Sequence, residues 1–147
     1  MNKDKYKVLL VDDSSDDRFF MRIVLERSSE LLVVGESRDG QEAIDYLQGK
    51  GAFGDRHASP FPDIMLLDLK MPGKTGFDVL QWIQAQNLGS LTVAVISGSW
   101  LAEDIAKSLA LGAHAYFKKT SVKEEQEKMI RDIEKLLHGR NKTVTSH

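Results

Sequence analysis

Five short apolar runs recur along the chain, and a stretch with helical spacing follows each of them. The runs are Tyr6–Val11, 31–35, Ile64–Leu67, 91–96 and 113–117. Each is too short for a helix, and a run that stays apolar without alternating reads as a strand buried on both faces of a parallel sheet. The segments between them carry apolar residues three and four apart. Phe19, Phe20, Ile23 and Val24 follow the first run, with Ser14 or Ser15 as the cap. Ala43, Ile44 and Leu47 lie in 40–48, and Phe77, Leu80, Trp82 and Ile83 in 75–85. Leu101, Ile105 and Leu109 lie in 101–110, and Met129, Ile130, Ile133, Leu136 and Leu137 in 122–138. Strands alternating with helices imply parallel crossover units, and right-handed crossovers place helices on both faces. The sequence therefore predicts an α/β protein with a doubly wound, five-stranded parallel sheet.

A chain of 147 residues reads as one domain. Its expected extent is 1–139, followed by a flexible polar tail over 140–147. The one long connection, 49–62, is rich in glycine and reads as an exposed loop. A net charge of −2 gives no electrostatic footprint for nucleic acid. The absence of cysteine excludes disulfides and thiolate metal sites. No apolar run approaches a membrane span, and the polar start from Met1 to Lys5 lacks the apolar region of a signal peptide. A cytoplasmic location with no membrane contact is the expectation.

Chemistry concentrates at the ends of the apolar runs. The first runs directly into Asp12 and Asp13, and the third ends at Asp68 before Lys70-Met71-Pro72-Gly73. The fourth ends at Ser97, and the fifth leads to Lys118 and Lys119. Charge is expensive to bury, and open α/β sheets bind ligands outside the carboxyl ends of their strands. Three converging carboxylates raise one another's pKa, and a hard divalent cation such as Mg²⁺ relieves the repulsion. A lysine adds a mobile positive charge for carboxylate or phosphate, and the Ser97 hydroxyl can donate to a phosphoryl oxygen. That inventory fits transfer of a phosphoryl group onto a carboxylate. Strand alternation lets only one of the two lysines face the acids.

These pieces together resemble a response-regulator receiver domain of the CheY-like, flavodoxin-like fold. The matching segments are Val11-Asp12-Asp13, Asp68 through Pro72 with Gly76, Ile96-Ser97-Gly98, and Gly112-Ala113 through Tyr116 to Lys119. The resemblance implies that Asp68 is the phosphoacceptor and that Asp13 and Asp68 ligate Mg²⁺ directly, with Asp12 acting through water. It implies that the backbone carbonyl of Lys70 completes the metal site, that Ser97 and Lys119 bind the phosphoryl group, and that Ser97 and Tyr116 are the switch residues. It also implies a sensor histidine kinase or histidine phosphotransfer protein as donor. The downstream protein would bind the face made by the fourth helix, fifth strand and fifth helix. The long loop before the third strand is similar to that of small single-domain regulators paired with phytochrome-type kinases.

Two positions depart from the family pattern. Thr120 stands where a cis-proline is usual, and a cis bond before a non-proline residue costs about 2.5–4 kcal/mol, so a trans bond is expected. Lys70 stands where its side chain would overhang the phosphoryl group, which bears on attack by water. Plainer readings stand beside the sharper ones. Ser97 alone can be a helix cap, Tyr116 an ordinary strand aromatic, Trp100 simple packing or a partner anchor, and His57 and His114 surface residues. The leading function is a two-component switch that catalyses only its own modification and has no turnover substrate. The alternatives are a phosphorylation-independent interaction module and, disfavoured by Lys70, a small metal-dependent phosphatase.

Overall fold

The apolar runs form one parallel sheet of β1 (Tyr6–Val11), β2 (Leu31–Ser37), β3 (Ile64–Leu67), β4 (Thr92–Ser97) and β5 (Ala115–Lys118). The computed structural model describes residues 4–145, with side chains up to Gly139. The strand order is β2-β1-β3-β4-β5. β3 and β4 are buried at every position, which is why their sequences show no polar alternation. Between them run α1 (Ser15–Leu25), α2 (Gly40–Gln48), α3 (Gly76–Gln86), α4 (Ala102–Ala110) and α5 (Lys123–Thr145).

Alternate residues of the same strands feed two separate cores. Leu9, Val11, Met65, Leu67, Val93 and Val95 pack with Ala43 and Leu47 of α2 and Val79, Leu80 and Ile83 of α3. Val8, Leu10, Leu66, Ala94 and Ile96 pack on the opposite face with Val24 and Leu25 of α1 and Met129, Ile130, Ile133 and Leu137 of α5. The doubly wound expectation is met.

Register places the site. Val11 pairs with Leu67 across β1 and β3, so the next residues, Asp12 and Asp68, emerge side by side. The Asp68 N–H donates to the Val11 carbonyl at 2.9 Å, which ties the two strand ends together. Ser97 pairs with Lys118, and the Lys119 N–H donates to the Ser97 carbonyl at 2.9 Å. The chain leaves β1 toward β2 on one side and β3 on the other, so a crevice opens at this edge.

Local chemistry accounts for most boundaries. Ser14 caps α1 by accepting from the Asp17 N–H, and Thr75 and Asp78 form a reciprocal capping box on α3. β2 runs past Gly35 to Ser37, because Glu36 is neutralised by Arg18 and Arg22 of α1. α5 continues through Gly139 to Thr145 rather than stopping at 139, since one glycine lowers helix propensity by about 1 kcal/mol without ending a helix. The polar start at Met1–Lys3 and the tail residues 146–147 lie outside the described residues. The 49–62 connection is half exposed, less than a free loop would be, because it is anchored. Arg56 donates to the carbonyls of Tyr46, Leu47 and Ser59, and the Tyr46 hydroxyl donates to the Pro60 carbonyl. Carbonyls at the end of α2 thereby gain partners that the helix cannot supply.

Gly76 begins α3 directly beneath the site. A Cβ there would stand 2.5 Å from the Asp68 carbonyl oxygen and 2.7 Å from the Leu69 Cα, both rigid backbone. Gly76→Ala is therefore expected to lower the unfolding free energy in urea by about 1–3 kcal/mol through overpacking. Helix propensity alone would favour alanine by about 1 kcal/mol. A stabilised variant would contradict the tight approach of α3 to Asp68.

Candidate functional site

Asp12, Asp13 and Asp68 each place a carboxylate oxygen within 4.8 Å of the others. Asp68 is buried (5% exposed), Asp12 nearly so (9%), and Asp13 sits exposed at the rim. The Lys119 ammonium lies 2.8 Å from an Asp12 oxygen and 3.6 Å from an Asp68 oxygen. Lys118, one residue earlier, points out and lies 5.1 Å from the centre of the Trp100 ring. Strand alternation thus puts Lys119, not Lys118, among the acids.

Backbone groups fix the rest of the cluster. The Ser14 N–H donates to the other Asp12 oxygen at 2.9 Å, and Arg18 donates to the Asp12 carbonyl. The Lys70 backbone N–H favours the charged form of the Asp68 carboxylate. The Asp68 carboxyl is pushed up to about 6, chiefly by burial. Lys119 and the Lys70 N–H pull it down, and Asp12 and Asp13 push it further up. Burial alone would lower the Lys119 pKa, yet its hydrogen bonds to Asp12 and Asp17 and the charges of Asp68 and Asp12 hold it above the usual lysine range. Burial is the main reason that Asp68 ionises reluctantly, and the neighbouring acids add to it. Oxygen donors at this spacing with unrelieved charge could hold a divalent cation.

Ser97 is fully buried at the end of β4, and its hydroxyl accepts from the Ser99 N–H at 3.0 Å. It caps no helix, because α4 starts at Ala102 with Leu101 as a cap lacking a side-chain bond. Tyr116 is half-buried against the α2–α3 core, and its hydroxyl donates to the Ser99 carbonyl at 2.9 Å. Lys70 does not overhang Asp68. Its ammonium reaches 3.5 Å from Asp104 at the head of α4. The Lys119–Thr120 bond is trans, since the described residues hold no cis peptide. His57 and His114 are exposed, although the His114 ring accepts the Val93 N–H.

Two participants escape a reading of strand ends. Asp17 takes Lys119 at 2.9 Å from the first turn of α1, and Asp104 takes Lys70 from the first turn of α4. The available signal was the acidic first turn of a helix that starts beside an acidic strand end. Next to the cluster, α1 and the connection from β5 to α5 enclose a cavity of about 480 Å³ lined by Leu10, Met21, Leu66, Ile96 and Met129. Asp68 and Lys119 also line it, and Phe19, Phe20 and Ile23 of α1 are exposed.

Comparison with known proteins agrees with this geometry. Residues 8–131 match the response regulator receiver domain family. The chain belongs to that family, and its role is in two-component signalling. It is 34% identical to the response regulator Rcp1 of Synechocystis sp. over 131 residues, covering 86% of this chain and 85% of that protein. The Mn²⁺-bound structure of Rcp1 superposes with a TM-score of 0.72 at 33% identity, covering 88% of this chain and 92% of that one. The phosphorylated cyanobacterial phytochrome response regulator RcpA gives 0.75 at 30% identity, covering 90% and 94%. Against the nitrate/nitrite regulator NarL of Escherichia coli the identity is 29% over 84% of this chain, but only 52% of NarL is spanned. No helix among the described residues is long and apolar enough to cross a membrane.

The raised Asp68 pKa sets a pH dependence. Its folded value of about 6 exceeds the unfolded value, so the folded state binds the proton more tightly. That contribution is fully present below about pH 4 and is lost as pH rises through about 6, leaving the ionised carboxylate destabilising at neutral pH. Without divalent cations, Asp68→Asn is expected to be more stable than wild type at pH 7.5, by on the order of 2 kcal/mol more than any difference at pH 4. Urea denaturation at the two pH values measures this. An equal difference at both would refute the account of a buried carboxylate that resists ionisation.

Proposed function

We propose that the chain is a phosphorylation-dependent switch whose phosphoacceptor is Asp68. The observation that carries this reading is one buried carboxylate, held by the register of β1 and β3, with the Lys119 ammonium 3.6 Å away and two further carboxylates beside it. A carboxylate so placed attacks the phosphorus of a partner phosphohistidine. A phosphorus–oxygen bond forms at Asp68, the phosphorus–nitrogen bond breaks, and the imidazole leaves with the electron pair and takes up a proton. Asp12, Asp13, Asp68 and the Lys70 carbonyl would hold Mg²⁺, which when bound neutralises charge on the transferring group.

Lys119 holds the phosphoryl oxygens by charge, and the Ser97 hydroxyl turns to donate to them. Turning Ser97 releases the Ser99 N–H, and the Ser99 carbonyl holds Tyr116. This is the route by which a local charge reaches the α4–β5–α5 face, where Trp100, Leu101 and Leu109 are exposed for a protein partner. The donor is a sensor histidine kinase or a histidine phosphotransfer protein. The likeness to RcpA supports a phytochrome-type kinase as its source. The chain turns over no separate substrate, and its place is the cytoplasm.

Acetyl phosphate with Mg²⁺ is expected to phosphorylate the wild type and to label Asp68→Asn at less than about one-tenth of that level, read by phosphate-affinity electrophoresis. Equal labelling of both would contradict the assignment and leave a phosphorylation-independent interaction module as the better reading.

A further inference from the structure

The Lys70 side chain begins at the rim of the acid site, two residues after Asp68 in the loop that leaves β3. It nevertheless reaches away from Asp68 to Asp104, 3.5 Å from an oxygen that also accepts the Ser99 hydroxyl at 2.7 Å. Asp104 is 9% exposed, whereas the Lys70 side chain is 64% exposed. Its ammonium is thus a mobile charge tied loosely to a fixed, nearly buried carboxylate. Exposed pairs of this kind are weak and readily exchanged.

Ser99 joins this pair to the other switch residues. Its N–H donates to the Ser97 hydroxyl, and its carbonyl accepts the Tyr116 hydroxyl. Its own hydroxyl accepts the Leu101 N–H at 3.3 Å while donating to Asp104. The Asp104 carbonyl in turn accepts the Ser108 hydroxyl one turn along α4. Asp104 is therefore the point where the charge beside Asp68 meets the connection that positions Ser97 and Tyr116.

We propose that Asp104 is a latch for Lys70. It holds the ammonium away from Asp68 while Asp68 is unmodified and yields it to a phosphoryl group on Asp68. This rests on the reading of Asp68 as the phosphoacceptor. A phosphoryl group carries more negative charge and more acceptor oxygens than one carboxylate, so it wins the contest for a flexible lysine. Asp104 then loses its paired ammonium and keeps the Ser99 hydroxyl on that oxygen and the weaker influence of the Lys107 charge one turn along α4. The first turn of α4 thereby senses the state of Asp68 by a second route, which meets the Ser97 route at Ser99. Asp104 touches neither donor nor phosphoryl group and is a positioning residue.

The test is a double-mutant cycle on the binding of beryllofluoride with Mg²⁺, followed by fluorine-19 NMR. Asp104→Asn removes the competitor and is expected to tighten binding about three- to fivefold, the scale of one exchangeable ion pair. In a Lys70→Met background the same substitution is expected to change affinity less than about 1.5-fold, and Asp104→Glu to restore wild-type affinity. No tightening, or equal tightening in both backgrounds, overturns the latch, because a merely structural or long-range charge effect does not depend on Lys70. The wild type supplies a check that needs no variant. The carbon-13 resonance of the Lys70 Cε is expected to shift on adding beryllofluoride, and an unmoved resonance also overturns it. Absence of any Mg²⁺-dependent beryllofluoride signal on the wild type would instead remove the phosphoacceptor reading, and the latch with it.

Discussion

Lys119 is the counterion on which the whole carboxyl edge depends. Parallel pairing of β1 with β3 brings Asp12 and Asp68 together, and neither strand can slip by one residue without exchanging the side chains fitted to its two cores. Like charges at that spacing would push the strand ends apart. One ammonium, placed by the register of β5 on β4, lies 2.8 Å from Asp12 and 3.6 Å from Asp68, while Asp17 of α1 takes it from the other side. The balance is deliberately incomplete in its physics. Asp68 stays hard to ionise, and an added cation or phosphoryl group changes the charge budget sharply.

If Asp68 is the phosphoacceptor as proposed, that imbalance is how a rigid core would carry a switch. β3 and β4 are sealed between two cores, so a change at Asp68 has little room to move the sheet. What can move is the polar connection after β4. Ser97, Ser99, Asp104 and Tyr116 are linked there by single hydrogen bonds, and Lys70 joins them from the loop after β3. Each bond can be exchanged for another at small net free energy, which is the property a two-state element requires. The exposed Trp100, with Lys118 over its ring, sits next to that connection on the surface.

Much of this was legible in the sequence, for a physical reason. Strands buried on both faces cannot hide a charge, so Val8 to Val11 and Ile64 to Leu67 announce both themselves and the acids that end them. Alternation lets only one of Lys118 and Lys119 face the acids, and the family resemblance picked Lys119. What stayed hidden depends on long-range geometry. Asp17 meets Lys119 across 102 residues, and no local pattern marks that pair. Lys70 reads as a cation over Asp68 because sequence spacing says nothing of a rotamer that reaches α4. The end of α5 was misplaced because Gly139 signals a stop that the continuing helix overrides.

A structure of the Mg²⁺ and beryllofluoride complex tests the central claim most directly. The account predicts a tetrahedral adduct on an Asp68 oxygen, with the Lys119 ammonium and the Ser97 hydroxyl both within hydrogen-bond distance of it. An adduct elsewhere, or one on Asp68 with Lys119 still held between Asp12 and Asp17 and out of reach, would contradict it.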